Sequence, residues 1–248
     1  MVAESRHQGS VGYLGGNNLA RTIDFSDWIP IFPLPNAVLM PRAILPLHVF
    51  EQRYRVMTRA ALDGSRLIAM ALLKPGNETG YNTPDVAIYP VVCVGRILRE
   101  EELPDGRFNF LLQGVARARV ITENGKLAYR RGRLEVICPV SASPEIECAR
   151  RKELRSLLLE APLLNLATSA NWLELFNCPD FTLSDIVDVL ASVVLPSPEH
   201  KQCFLAEPCV AARATCLCNT LRAIAAELQR RGGRASPPRN WPPTICNN

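Results

Sequence analysis

The chain has 248 residues, 48% hydrophobic and 21% charged, proportions that exclude a disordered or fibrous protein and allow one large domain or two small ones. A net charge of +4, from 28 basic and 24 acidic residues, is too mild to imply nucleic acid or a membrane surface. Nine cysteines, an odd number with no CxxC pair and several inside apolar runs (Cys93 in VVCVG, Cys138 in LEVICP), argue for reduced thiols in a cytoplasmic protein and against a disulfide framework.

The opening MVAESRHQGSVGYLGGNN lacks the apolar core of a signal peptide, and no apolar run approaches the ~20 residues of a membrane helix. Residues 1–26 are expected to form a flexible tail, with structure beginning near Asp27 and Trp28. IPIFPLPNAVLMPRAILPLHVF carries prolines at 30, 33, 35, 41 and 46, which a helix does not tolerate. It predicts short strands near 29–34 and 43–48, at edges, bulges or turns. Phe50, Tyr54, Met57 and Ala61, spaced 4, 3 and 4 apart, then predict a helix packed on the sheet, stopped at Gly64. Glu51 and Arg53 flank that packing face and are expected to tie helix to strand through charged hydrogen bonds. LIAMALL (67–73) reads as a buried strand and 74–90 as a loop rich in Gly, Pro and Asn. Two long strands, 91–102 and 107–122, flank the turn Leu103-Pro104-Asp105-Gly106. A third, about 126–138, follows Asn124-Gly125.

PVSASPE (139–145) reads as a linker, and helical signals follow it. Helices are predicted at about 146–160 and 171–177, then along the stripe Leu183, Ile186, Val187, Leu190 and Val194, begun by Thr182 and Asp185 in a capping-box pattern. Ser197-Pro198-Glu199 starts another, Pro208 interrupts it, and Val210, Ala214, Leu217, Leu221, Ile224 and Leu228 mark the last, with Arg230, Arg231 and Gly232-Gly233 at its end. The divisions expected are a tail at 1–26, a β-rich unit at 27–140, a helical bundle at 141–232 and a tail at 233–248.

IPIFPLPNAVLMPRAILPLHVFEQRYRVM (29–57) resembles the opening of the Lon protease N-terminal, substrate-recognition domain. Phe32, Pro33, Leu34, Val38, Leu39, Pro41, Leu45, Pro46, Leu47, His48, Phe50, Glu51, Arg53 and Tyr54 fall in its register. VGRILREEELPDGRFNFLLQGVARARV and LPSPEHKQCFLAEPCVAARATCLCNTL are similar to later blocks of that family. Two departures are Arg42, where a glycine is usual, and Ala206-Glu207-Pro208, where the family has an unbroken connection. The resemblance implies an α+β fold: a PUA-like twisted β-barrel or sheet with one helix, then a helical bundle.

It further implies a non-catalytic module that recognises exposed apolar or unfolded polypeptide segments, or an adaptor. No ATPase or peptidase is expected. None of Lys74, Lys126, Lys152 and Lys201 completes GxxxxGK[ST], so the chain reads as a stand-alone form of that domain. No cofactor, metal or catalytic residue is expected, and the residues of the binding groove are not assignable. His48 reads as a satisfied, half-buried histidine. His200, Cys203, Cys209, Cys216 and Cys218 cluster in sequence, but Cys216 and Cys218 point to different sides of a helix, which favours buried thiols over zinc. Two alternatives stay open. One is an accessory component of a Lon-type protease, with catalysis in trans. The other is RNA binding through Arg117 with Arg119, or Arg131 with Arg133, each pair sharing a strand face, with Tyr129 as the nearby stacking ring.

Overall fold

The computed structural model describes residues 27–76, 86–125 and 127–230. Both expected tails and the middle of the 74–90 loop lie outside them. The strands are β1 (Ile29–Leu34), β2 (Ile44–Val49), β3 (Leu67–Leu72), β4 (Val91–Glu102), β5 (Phe108–Asn124) and β6 (Arg130–Val136), with helix α1 (Gln52–Asp63) between β2 and β3. Helices α2 (Pro144–Leu159), α3 (Ala161–Ser169), α4 (Leu183–Val194), α5 (Pro198–Ala206) and α6 (Val210–Arg230) follow, with a 3-10 turn at Trp172–Phe176. The fold is α+β, built on a mixed six-stranded sheet.

The sheet order is β2-β5-β4-β3-β1-β6, and β6 also pairs with β5. β1 and β3 run parallel, and the other pairs are antiparallel. The 17 residues of β5 serve three partners: its first part takes β2, its last part takes β6, and β4 runs alongside. Bulges at Val94/Gly95, Ile97/Arg99 and Val120/Thr122 supply the bending that so curled a sheet demands. One face encloses a small apolar cluster that includes Ile31, Ala69, Val92, Val94 and Leu134. The other face merges with α1 and the helical half into one larger core. β3, covered on both faces, is buried at every position, which is why LIAMAL shows no alternation.

The prolines of β1 tell a different story from the expected edge. β1 lies between β3 and β6, but β6 pairs only with residues 29–31 and β3 only with residues 31–34. Pro30 and Pro33 each fall where one neighbour is missing, so neither deprives the ladder of a needed donor. β2, with Pro46, is the true edge.

The connection from β1 to β2 crosses the sheet over two glycines that face each other, Gly95 and Gly114. A Cβ on Gly114 would stand 2.1 Å from the Met40 carbonyl oxygen, and one on Gly95 would stand 2.8 Å from Leu39 Cδ2. The pair is a saddle on which residues 39–40 lie. Arg42 then donates its N–H to Gly114 at 2.7 Å with φ at 67°, the left-handed region that explains the usual glycine there. Arginine tolerates it by reaching across the molecule: its Nε donates to Asp185 Oδ1 at 3.0 Å, and its guanidinium lies 5.0 Å from the Phe181 ring centre.

Two expectations need correction, and one charged pair is closed locally. Phe50 does not pack the helix on the sheet. It precedes the N-cap Glu51 and is 44% exposed, whereas Tyr54 and Met57 are buried, Tyr54 with its ring 4.5 Å from that of Phe32. Glu51 and Arg53 meet each other, Nε to Oε2 at 3.0 Å, and Arg53 lies over the Tyr54 ring. Between the expected helices at 146–160 and 171–177 stands α3. It begins where Glu160 turns extended (ψ 141°) and Pro162 occupies the first turn.

Other end signals hold. Thr182 and Asp185 form the capping box of α4, and Ser197 caps α5. The α5–α6 break at Pro208 has a use: Val140 of the linker donates to the Pro208 carbonyl at 2.9 Å and accepts from Val210 at 3.0 Å. Between the sheet and the helices, Arg117 donates to Asp188 at 2.7 and 2.5 Å, Arg213 joins the same carboxylate, and Gln202 donates to the Val91 carbonyl at 2.8 Å.

Candidate functional site

The block 29–57 contributes buried packing on one side of the sheet and an open surface on the other. Along β2 the inner row Leu47 and Val49 is buried, while Pro46 is exposed and His48 half-buried on the outer row. Register sets two rows across β2, β5 and β4: His48, Asn109 and Glu101 in one, Pro46, Leu111 and Arg99 in the next. In the first row His48 Nδ1 lies 2.7 Å from Asn109 Oδ1, and Asn109 Nδ2 donates to Glu101 Oε2 at 3.3 Å. An amide oxygen only accepts, so the His48 proton sits on Nδ1 and the three side chains form a directed chain. Phe50 stacks on the His48 ring at 6.2 Å. Leu111 in the second row is 36% exposed. The surface is thus a polar relay bordered by apolar side chains, held rigid by three strands.

The opposite face of β5 borders a groove. Val49 pairs with Phe108, and Phe108 lines an open groove of about 370 Å³ together with Gln52, Arg55, Val56, Arg59 and Asp63 of α1. Arg55 Nε donates to the Gly106 carbonyl at 2.7 Å, which fastens α1 to the β4–β5 turn. Gly106, at φ 79°, is the glycine of the Leu-Pro-Asp-Gly turn, and a Cβ there would collide with Arg55. Arg59 pairs with Glu102 and lies 5.1 Å from the Phe108 ring centre, and Val56 is 44% exposed. Such a surface offers apolar contact, hydrogen bonds and paired charges.

Other sequence candidates fall elsewhere. Arg117 leaves the expected solvated face: it is buried and committed to Asp188, which raises its pKa despite burial pulling the other way. Arg119 is exposed, Arg131 half-buried, and Arg133 lies over Trp28. Tyr129 is buried, so it offers no stacking ring beside them. His200 Nδ1 contacts Ser197 Oγ at 2.8 Å; Cys203 and Cys216 are exposed, while Cys218 is buried. Burial pushes the Cys218 thiol up to about 11 and the Cys93 thiol higher still. No group of three or more metal-ligand side chains forms among the described residues. Nor does any helix among them have the length and apolarity to cross a membrane.

Asn109, Glu101, Leu111 and Phe108 were not singled out from sequence. Alternation in FNFLL, with the register set by the Leu-Pro-Asp-Gly turn, carries the signal that places Asn109 opposite Glu101.

The family model of the ATP-dependent protease La (LON) substrate-binding domain matches residues 28–223. The chain is 32% identical to the Lon protease of Dictyoglomus thermophilum over 170 residues, covering 66% of this chain and 21% of that protein. It is 38% identical to the Lon protease of Trichlorobacter lovleyi over 93 residues, 37% of this chain and 11% of that protein. The chain thus spans about a fifth or less of the length of these curated relatives. Among solved structures it is similar to the N-terminal domain of the Mycobacterium avium complex Lon protease, with a TM-score of 0.62 and 16% identity over 79% of this chain and 98% of that one. It is also similar to a Lon N-terminal domain protein from Xanthomonas campestris, with a TM-score of 0.53 and 20% identity over 77% and 96% of the two chains. At these identities the structural likeness speaks to the fold.

Proposed function

Because this chain belongs to the family of the LON substrate-binding domain, we propose that it binds polypeptide clients through exposed apolar segments and does no chemistry on them. The observation that carries this reading is the surface built by the family's own motif: Phe50 and Leu111 stand open to solvent on a three-stranded face. Exposed apolar side chains clustered among polar ones mark interaction sites.

Reduced, carboxymethylated lactalbumin, which cannot fold, is the probe. It should bind, native lactalbumin should not, and Phe50→Ser and Leu111→Ser should each weaken binding by roughly 1 kcal/mol, about fivefold, with little change in stability. Equal binding of both lactalbumin forms, or unchanged affinity in both variants, would defeat the proposal. A narrower version makes the chain an adaptor or accessory of a Lon-type protease, supported by the relatives being Lon proteases. Co-purification with such an ATPase is its test.

A further inference from the structure

β2 is the end strand of the sheet and, among the described residues, is hydrogen-bonded only to β5. Gly114 donates its N–H to the Ala43 carbonyl at 2.9 Å. Alternation in an antiparallel ladder therefore aims the backbone groups of Leu45, Leu47 and Val49 at β5, and those of Ile44, Pro46 and His48 away from it. Pro46 agrees: it lacks an N–H and sits where β5 needs none. The open side presents two N–H groups and three carbonyls in extended spacing.

Natural edges are usually blunted by charge, lysine above all. ILPLHV has none, and Pro46 is its single interruption. The side chains along this edge are also prepared for a neighbour. Leu45 is half-buried on the core side, and Pro46, His48 and Phe50 line the open side. A strand laid here would set alternate side chains against Leu45 and Leu47, and the others against Pro46 and Phe50.

We propose that β2 captures an extended client segment of about five residues by strand addition, pairing with the backbone of Ile44, Pro46 and His48 and favouring apolar side chains at alternate positions. This rests on the client-binding reading above and names the conformation and chemistry of the ligand.

The probe is a fluorescein-labelled peptide of alternating Val or Leu and Ser or Thr, with two derivatives N-methylated on its even or its odd peptide bonds. Only one set of amides faces β2. One derivative should bind at least about tenfold more weakly than the parent peptide, and the other within about twofold of it. Ile44→Pro removes an outward donor without touching the β5 ladder, and should weaken the parent peptide similarly with an unchanged far-ultraviolet spectrum. Should that variant fail to fold, the methylated pair on the natural protein still decides. Equal affinities for the two derivatives, whether both retained or both lost, overturn strand addition. So does failure of the parent peptide while carboxymethylated lactalbumin still binds, an outcome that leaves client binding standing. If neither binds, both readings fall. A stable dimer by light scattering that Ile44→Pro abolishes assigns the edge to a second copy and likewise overturns the proposal.

Discussion

Arg42 combines a backbone conformation that favours glycine with a side chain that reaches a distant helix. Its φ of 67° costs a non-glycine residue roughly 1–2 kcal/mol. Its guanidinium recovers part of this from Asp185, the same carboxylate whose other oxygen closes the α4 capping box with Thr182. The two costs separate by substitution. Arg42→Ala loses the side-chain contacts and keeps the strain; Arg42→Gly loses the same contacts and releases it. In urea denaturation both should fall below the natural protein, with Gly about 1 kcal/mol more stable than Ala. The reverse order would mean that the backbone is not strained there. The buried cluster behaves more severely. Asp188 neutralises Arg117 and Arg213 where almost no water reaches, and Asp188→Asn should cost about 3 kcal/mol or more by leaving two buried cations unpaired. The Arg117–Asp188 contact joins residues 71 apart. That is why Arg117 read as half of a solvated arginine pair: strand alternation gives the face, but not what covers it.

At the scale of elements, the saddle gives a steric reason for two glycines of the second similar block, Gly95 and Gly114. Gly114→Ala would drive a methyl into the Met40 carbonyl, which is backbone and cannot rotate away, so a loss of about 3 kcal/mol or more is expected by thermal or urea unfolding. A neutral outcome would show that the crossing moves freely. The elements legible in sequence were those whose signals are local. β1 and β2, the Leu-Pro-Asp-Gly hairpin, the Thr182 box and the Ser197 cap all carry their own instructions within a few residues. Phe50 misled because its spacing to Tyr54 fits a helix that in fact starts two residues later, at Gln52. The α2–α3 break hid in a continuous leucine-rich run, since Glu160 shows no side-chain cap for α3 and only Pro162 marks the start. The open surface was unreadable for another reason: exposure of Leu111 depends on which strands flank β5, and that is a property of topology.

Across the whole molecule, one apolar cluster runs from Phe32, Tyr54 and Phe110 through Leu154 and Leu190 to Leu217 and Leu221. Sheet and helices share it, and the Arg117, Arg42 and Gln202 contacts cross the same boundary. Heating in a calorimeter should therefore give one transition with matching calorimetric and van't Hoff enthalpies. Two resolved transitions would show that the halves unfold independently.

The saddle also implies an order of events in time. β4 and β5 are joined by a short turn and pair along most of their length, so they can associate early with little loop entropy to overcome. The chain between β1 and β2 rests on glycines that face each other only once that hairpin exists. β2 is then expected among the last strands to arrive. Leu112→Ala, in the hairpin, should slow refolding in stopped-flow measurements, whereas Arg42→Ala should leave the refolding rate nearly unchanged and speed unfolding. β2 has β5 as its one strand partner among the described residues, so its outward amides at Ile44 and His48 should exchange with deuterium ahead of the inward amides of Leu45 and Leu47.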